Sequence, residues 1–147
     1  MSKKKKHVVA IVLFYGYVLV VLWITIFSRH SPTGKNMLMH PFWEYASFFR
    51  NVSWHTAHDI VMNMLLFVPY GFLFPCAYIK YKKYAVLSAA ILSVLIEVSQ
   101  LLFQLGWAEI DDIVNNAVGA FIGYKVFGRI ITKLIFHFHH RIFPKQK

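Results

Sequence analysis

Four stretches of the chain are apolar over lengths that can cross a bilayer, and short polar segments separate them. The first runs from about His7 to Phe27, behind Lys3 to Lys6, and contains no charged residue. A hydrocarbon core of ~30 Å requires about 20 such residues in a helix. The run is longer than the ~7–15-residue apolar region of a cleaved signal peptide and leads into Trp23, Phe27, Ser28 and Arg29 rather than small residues, so it reads as a retained span. A second run, Ile60 to Ile79, contains Pro69, Gly71 and Pro75, and a third, Tyr84 to Leu105, carries Glu97, Gln100 and Gln104. Pro69 and Gly71 are expected to kink the second helix and free carbonyls that can line a cavity. The fourth run starts at Ile113 and places Gly119 and Gly123 at the GxxxG spacing that lets two membrane helices approach closely. Beyond Tyr124 it turns amphipathic, with Lys125, Arg129 and Lys133 on one face, and an end is expected near Phe136. The pattern predicts an all-α fold: one domain over residues 1–147, built as a polytopic transmembrane bundle of four helices.

Charge fixes the expected orientation. With the N-terminus inside, thirteen of the sixteen Lys and Arg residues fall on the cytoplasmic side, and only Arg29, Lys35 and Arg50 fall outside. Lys and Arg in flanking segments are retained in the cytoplasm, so both termini are expected there. Composition agrees with lipid as the solvent. A chain of 147 residues that is 58% hydrophobic and 15% charged cannot bury that much apolar surface in one small soluble core. The net charge of +10 would suggest nucleic acid in a soluble protein. Here the cations cluster between spans and point to membrane lipids instead, and no nucleic acid is expected. Cys76 is the single cysteine, which rules out an intrachain disulfide. No cofactor is implied.

On this topology the acidic residues lie outside the membrane or in its outer half. Asp59 and Asn63 fall in the first turns of the second helix, Glu97 and Gln100 in the outer part of the third, and Asp111, Asp112 and Asn116 at the start of the fourth. Asp59 with Asn63, Glu97 with Gln100, and Asp112 with Asn116 each have i,i+3 or i,i+4 spacing, so each pair shares one helical face. If those faces converge, the seven residues build an outward-opening polar pocket. A carboxylate within a span costs at least ~2.5–3.5 kcal/mol at the centre and is rarely retained without a partner or an aqueous cavity, which makes Glu97 the first functional candidate. Two structural readings stand beside it. Asp59, Asp111 and Asp112 can cap helix N-termini, and the amides can serve as inter-helical hydrogen bonds without a ligand. The outer loop holds Trp43, Tyr45, Phe48, Phe49 and Trp54, which suit an interfacial aromatic belt. His55 and His58 near Asp59, and His137, His139 and His140 in the tail, have no specific ligand spacing, and no metal site is assigned.

The segments Asp59-Ile-Val-Met-Asn63 through Phe67-Val-Pro69-Tyr-Gly71, Ile96-Glu97-Val-Ser-Gln100, and Asp111-Asp112 through Asn116, Gly119 and Gly123 resemble, in order, the motifs of the VanZ-like membrane proteins. The resemblance covers roughly residues 59–128, with a weaker echo at His40-Pro41-Phe42. It implies a small polytopic protein of the bacterial cell envelope, in a family whose founder is associated with low-level resistance to the glycopeptide teicoplanin. Many relatives carry an Arg before the acidic motif, where this chain reads Leu105-Gly106-Trp107-Ala108-Glu109.

These observations favour a non-enzymatic, multi-pass protein of the cell membrane whose outward pocket binds a lipid-linked cell-wall component or a cationic envelope component and alters glycopeptide access to its target. The alternative is a small intramembrane enzyme in which Glu97 and Asp112 act as general acid and base, or as metal ligands, on a lipid-carried substrate. Neither reading names a catalytic residue beyond those two. The topology has a direct test: reporter fusions after Gly34 and after Lys147 should place the first junction outside and the second in the cytoplasm. An external C-terminus would overturn the orientation and the span count together.

Overall fold

The computed structural model describes residues 3–27, 36–38, 45–46, 54–103, 105 and 107–142. His40, Trp43, Phe48, Phe49, Gln104 and the side chains of His137, His139 and His140 lie outside the described residues. Four long helices carry the fold: α1 (Lys3–Leu22), α2 (Trp54–Ala77), α3 (Ala85–Phe103) and α4 (Ile110–Ile142). A π-helical turn, Trp23–Phe27, extends α1, and a 3-10 turn, Ile79–Tyr84, joins α2 to α3. Two three-residue strands, β1 (Asn36–Leu38) and β2 (Trp107–Glu109), pair in parallel. This small bridge is absent from the all-α reading, because neither segment has the length or alternation that marks a strand.

Helix direction alternates. Tyr17 on α1 donates to the Leu66 carbonyl on α2 at 2.6 Å, while Phe14 packs edge-on against Tyr70 and Phe74, and Tyr15 meets Tyr78. Rising numbers on α1 thus meet falling numbers on α2, so the two are antiparallel. Between α2 and α4 the numbers rise together. Gly119 lies against Met64, Gly123 against Val68, and Phe72 against Phe127.

The α2–α4 seam is a backbone contact. A Cβ added to Gly71 would lie 2.7 Å from Ala120 Cα, one on Gly119 2.8 Å from the Met64 carbonyl carbon, and one on Gly123 2.9 Å from the Phe72 nitrogen. No side chain fits at any of the three. Helix association in lipid gains little from apolar burial, so close packing of small residues supplies much of the attraction. The Gly119–Gly123 pair therefore finds its partner in α2, with Gly71 completing the contact. Pro69 and Pro75 both lie within α2, which stays helical through them.

The core of Phe14, Val21, Phe67, Tyr70, Ala77, Ala89, Ile96 and Ala120 is small, and much apolar surface points outward. Leu19, Trp23, Leu102 and Phe103 are each more than 60% exposed, as expected for side chains that face lipid. Among the described residues, three segments are long and apolar enough to cross a membrane: Lys4–Phe27, Trp54–Ala77 and Ile79–Phe103. The expected fourth span, 113–136, falls inside α4, which is long enough but interrupted by buried amides and a line of cations. At 1.5 Å per residue its 33 residues reach about 50 Å, and it continues past Phe136 to Ile142. The second helix also begins earlier than its apolar run, at Trp54, so Asp59 lies beyond the first turn and does not cap it.

Backbone contact at the seam predicts a sharp contrast between glycines. Gly71→Val and Gly123→Val should each destabilise the protein by at least the ~1–3 kcal/mol typical of overpacking, lowering membrane abundance and the melting temperature in detergent. Gly16→Ala, where an added Cβ meets nothing within 4 Å, should leave both unchanged.

Candidate functional site

Polar side chains gather at the end of the bundle formed by the close of α1, the first turns of α2, the close of α3 and the start of α4. Glu97, Gln100, Asp111, Asp112, Asn115, Asn116 and Ser93 are all buried there. The local sequence explains the burial. Ser93, Glu97 and Gln100 recur at i, i+4 and i+7 along α3, and Asp112 and Asn116 recur at i,i+4 along α4, continuing into the Gly119–Gly123 face. One stripe on each helix is polar near the end and apolar or small deeper in.

Each residue has a definite partner. Asn63 Nδ2 donates to Asp112 Oδ1, joining α2 to α4 above the glycine seam. Asn116 Nδ2 donates to Ser93 Oγ at 2.7 Å, joining α4 to α3. Gln100 Nε2 donates to the Thr25 carbonyl at 3.0 Å, joining α3 to the π-helical end of α1. The last carbonyls of a helix lack intrahelical donors, and Gln100 supplies one. The Glu109 backbone N–H donates to Glu97 Oε2 at 2.9 Å, tying the α3 carboxylate to β2. Tyr45 Oη donates to Asn115 Oδ1, bringing a residue that precedes α2 onto α4.

Of the seven candidate residues, Asn63 and Asp112 are brought into direct contact. Glu97 and Gln100 lie one turn apart on the buried face of α3 but hold different partners. Asp111 and Asp112 both occupy the first turn of α4 and are buried. Asp59 stands apart on α2, half-exposed, 2.8 Å from His55 Nδ1 and 3.3 Å from His58 Nδ1. Among the described residues no group of three or more His, Cys, Asp and Glu side chains is placed to hold a metal ion. A cleft of about 150 Å³ opens at the α3–α4 seam, where Glu97 and Glu109 are the polar residues among Val94, Val98, Leu101, Ile110 and Ile113.

Two oxygens have no donor. Gln100 Oε1 and Asn116 Oδ1 are both buried and lack a hydrogen-bond partner among the described residues. Each amide uses its N–H₂ to bridge helices and leaves its carbonyl unused. Ser93 and Asn115 fall outside the sequence candidates, although both were within reach of the same argument. Ser93 sits one turn before Glu97 on its face, and Asn115 adjoins Asn116. A lone Ser in an apolar helix reads as neutral, whereas Asn115 stands at i,i+4 from Asp111 and i,i+3 from Asp112, a signal that could have found it.

The fold and this site define a helical membrane protein with carboxylates and amides buried at one end of its bundle. The chain belongs to the VanZ/LLP1 family, whose model matches residues 14–135 and so takes in α1 as well as the motif region. It is similar to Protein VanZ of Enterococcus faecium, with 24% identity over 123 residues that cover 76% of this chain and 69% of that protein. No solved structure matches the chain.

Contact between Asn63 and Asp112 predicts cross-linking. In a Cys76→Ser background, Asn63→Cys with Asp112→Cys should form a disulfide under mild oxidation in membranes. Asn63→Cys with Leu102→Cys, which pairs the site with a lipid-facing position, should not. The reverse pattern would place α4 in a different register on α2.

Proposed function

We propose that the chain is a multi-pass protein of the bacterial cell membrane that contributes to glycopeptide resistance of the teicoplanin type. In this reading its polar end faces outward and holds the donor-rich or cationic part of a lipid-linked envelope component, altering how the antibiotic reaches its target. Spare acceptor capacity carries the reading. Leaving a buried oxygen without a donor costs ~1–3 kcal/mol, and two such oxygens lie on the helices that bear buried Glu97, Asp111 and Asp112. An ammonium or amide group from a ligand supplies the donors those oxygens lack. Family membership and the likeness to Protein VanZ support the role. The bias of Lys and Arg toward the opposite end supports the outward orientation.

The test compares membrane abundance with teicoplanin susceptibility for wild type, Glu97→Gln and Glu97→Leu. Glutamine keeps the shape and can still accept from the Glu109 N–H while removing the charge. Glu97→Gln should therefore accumulate normally but lose the resistance contribution, and Glu97→Leu should lose both. A fully active Glu97→Gln protein overturns the ionised site. An envelope lipid that is chemically altered by the wild type and by neither variant would point instead to catalysis through Glu97 and Asp112.

A further inference from the structure

A second constellation lies at the other end of the bundle, away from every described carboxylate. Lys125, Arg129 and Lys133 follow one another at four-residue intervals on α4, and Lys82 approaches them from the 3-10 turn between α2 and α3. The four cations line a single groove of about 610 Å³ with Tyr124 and Phe127 in its wall. The sequence holds no Asp or Glu between Asp59 and Glu97, and none after Asp112. Among the described residues none of these four cations has a carboxylate partner. Converging like charges repel, and like charges placed together are destabilising unless an anion sits between them. Here the chain supplies no such anion.

We infer that this groove is a binding site for the phosphate-bearing headgroup of an anionic membrane lipid. The surroundings select lipid over a soluble anion. Ile79, Tyr81 and Tyr84 on the turn, and Phe121, Ile122, Val126 and Ile130 on α4, are all exposed apolar or aromatic side chains. They flank the cations as acyl chains and an interfacial belt require. The Lys125 ammonium lies 5.2 Å from the Phe121 ring centroid, so this cation and the exposed apolar face adjoin one another directly. Basic pockets between membrane helices bind anionic headgroups by this combination of charge and adjoining apolar surface. Arg129 adds a planar fork of donors that can grip two phosphate oxygens at once. The inference does not rest on the role proposed for the polar end.

Native mass spectrometry of the detergent-solubilised full chain tests it, with phosphatidylglycerol, phosphatidylcholine and inorganic phosphate as separate probes. Wild type should take up phosphatidylglycerol saturably and in preference to phosphatidylcholine, and inorganic phosphate should not displace it. Lys125→Gln, Arg129→Gln and Lys133→Gln should each weaken uptake about fivefold, and together multiplicatively. The single variants carry the test if the triple variant fails to accumulate. A control with Lys3→Gln, Lys4→Gln and Lys5→Gln removes the same charge elsewhere and should bind as wild type. Equal weakening in the control would show diffuse attraction and overturn the site. Equal uptake of phosphatidylcholine, or displacement by inorganic phosphate, would overturn the anionic lipid as its occupant.

Discussion

Backbone contact between α2 and α4 is the constraint on which the rest of the bundle depends. With Gly71, Gly119 and Gly123 facing Ala120, Met64 and Val68, the two helices have one register in which their main chains fit. That register sets Asn63 opposite Asp112 and Phe72 opposite Phe127. Because α2 and α4 are parallel, the connecting α3 must run antiparallel to both, which carries Ser93, Glu97 and Gln100 to the end where α4 begins. The polar end is thus a product of packing many residues away, and a methyl group at Gly123 would be felt at Asp112.

The hydrogen bonds at that end then divide the work by interface. Asn63 with Asp112 fastens α2 to α4, Asn116 with Ser93 fastens α4 to α3, and Gln100 with the Thr25 carbonyl fastens α3 to α1. Bonds of this kind contribute on average about 0.6 kcal/mol each in a membrane bundle, so none is decisive alone. Their arrangement matters more than their strength. The donors of Gln100 and Asn116 are spent on neighbouring helices and their carbonyl oxygens are left over, so the same residues that hold the bundle also give its end an unmet demand for hydrogen-bond donors.

Much of this was legible in the sequence, and the reasons differ from residue to residue. The apolar runs marked the first three helices because lipid demands about 20 apolar residues in a row, a long and unambiguous signal. The GxxxG spacing marked a close approach but could not name the partner, since periodicity describes one helix at a time. Pairing Glu97 with Gln100 and Asp112 with Asn116 found the buried faces, yet intra-helical spacing says nothing about Ser93 or the Thr25 carbonyl as acceptors. The start of α2 at Trp54 was hidden because His55, Thr56, His58 and Asp59 break the apolar run while remaining helical. The cationic groove was half-visible. Lys125, Arg129 and Lys133 read as one face, but Lys82 joins them only through the way the turn folds against α4.

The segregation of charge along the bundle makes the folded protein a permanent dipole. Among the described residues Asp59, Glu97, Glu109, Asp111 and Asp112 belong to one end, and the lysines of the α1 start, the α2–α3 turn and the second half of α4 belong to the other. Turning such a molecule over in an energised membrane would drag both sets through the field, at about 2.3 kcal/mol per elementary charge for each 100 mV, on top of the cost of passing them through hydrocarbon. In a bilayer, such a dipole has no cheap route from one orientation to the other.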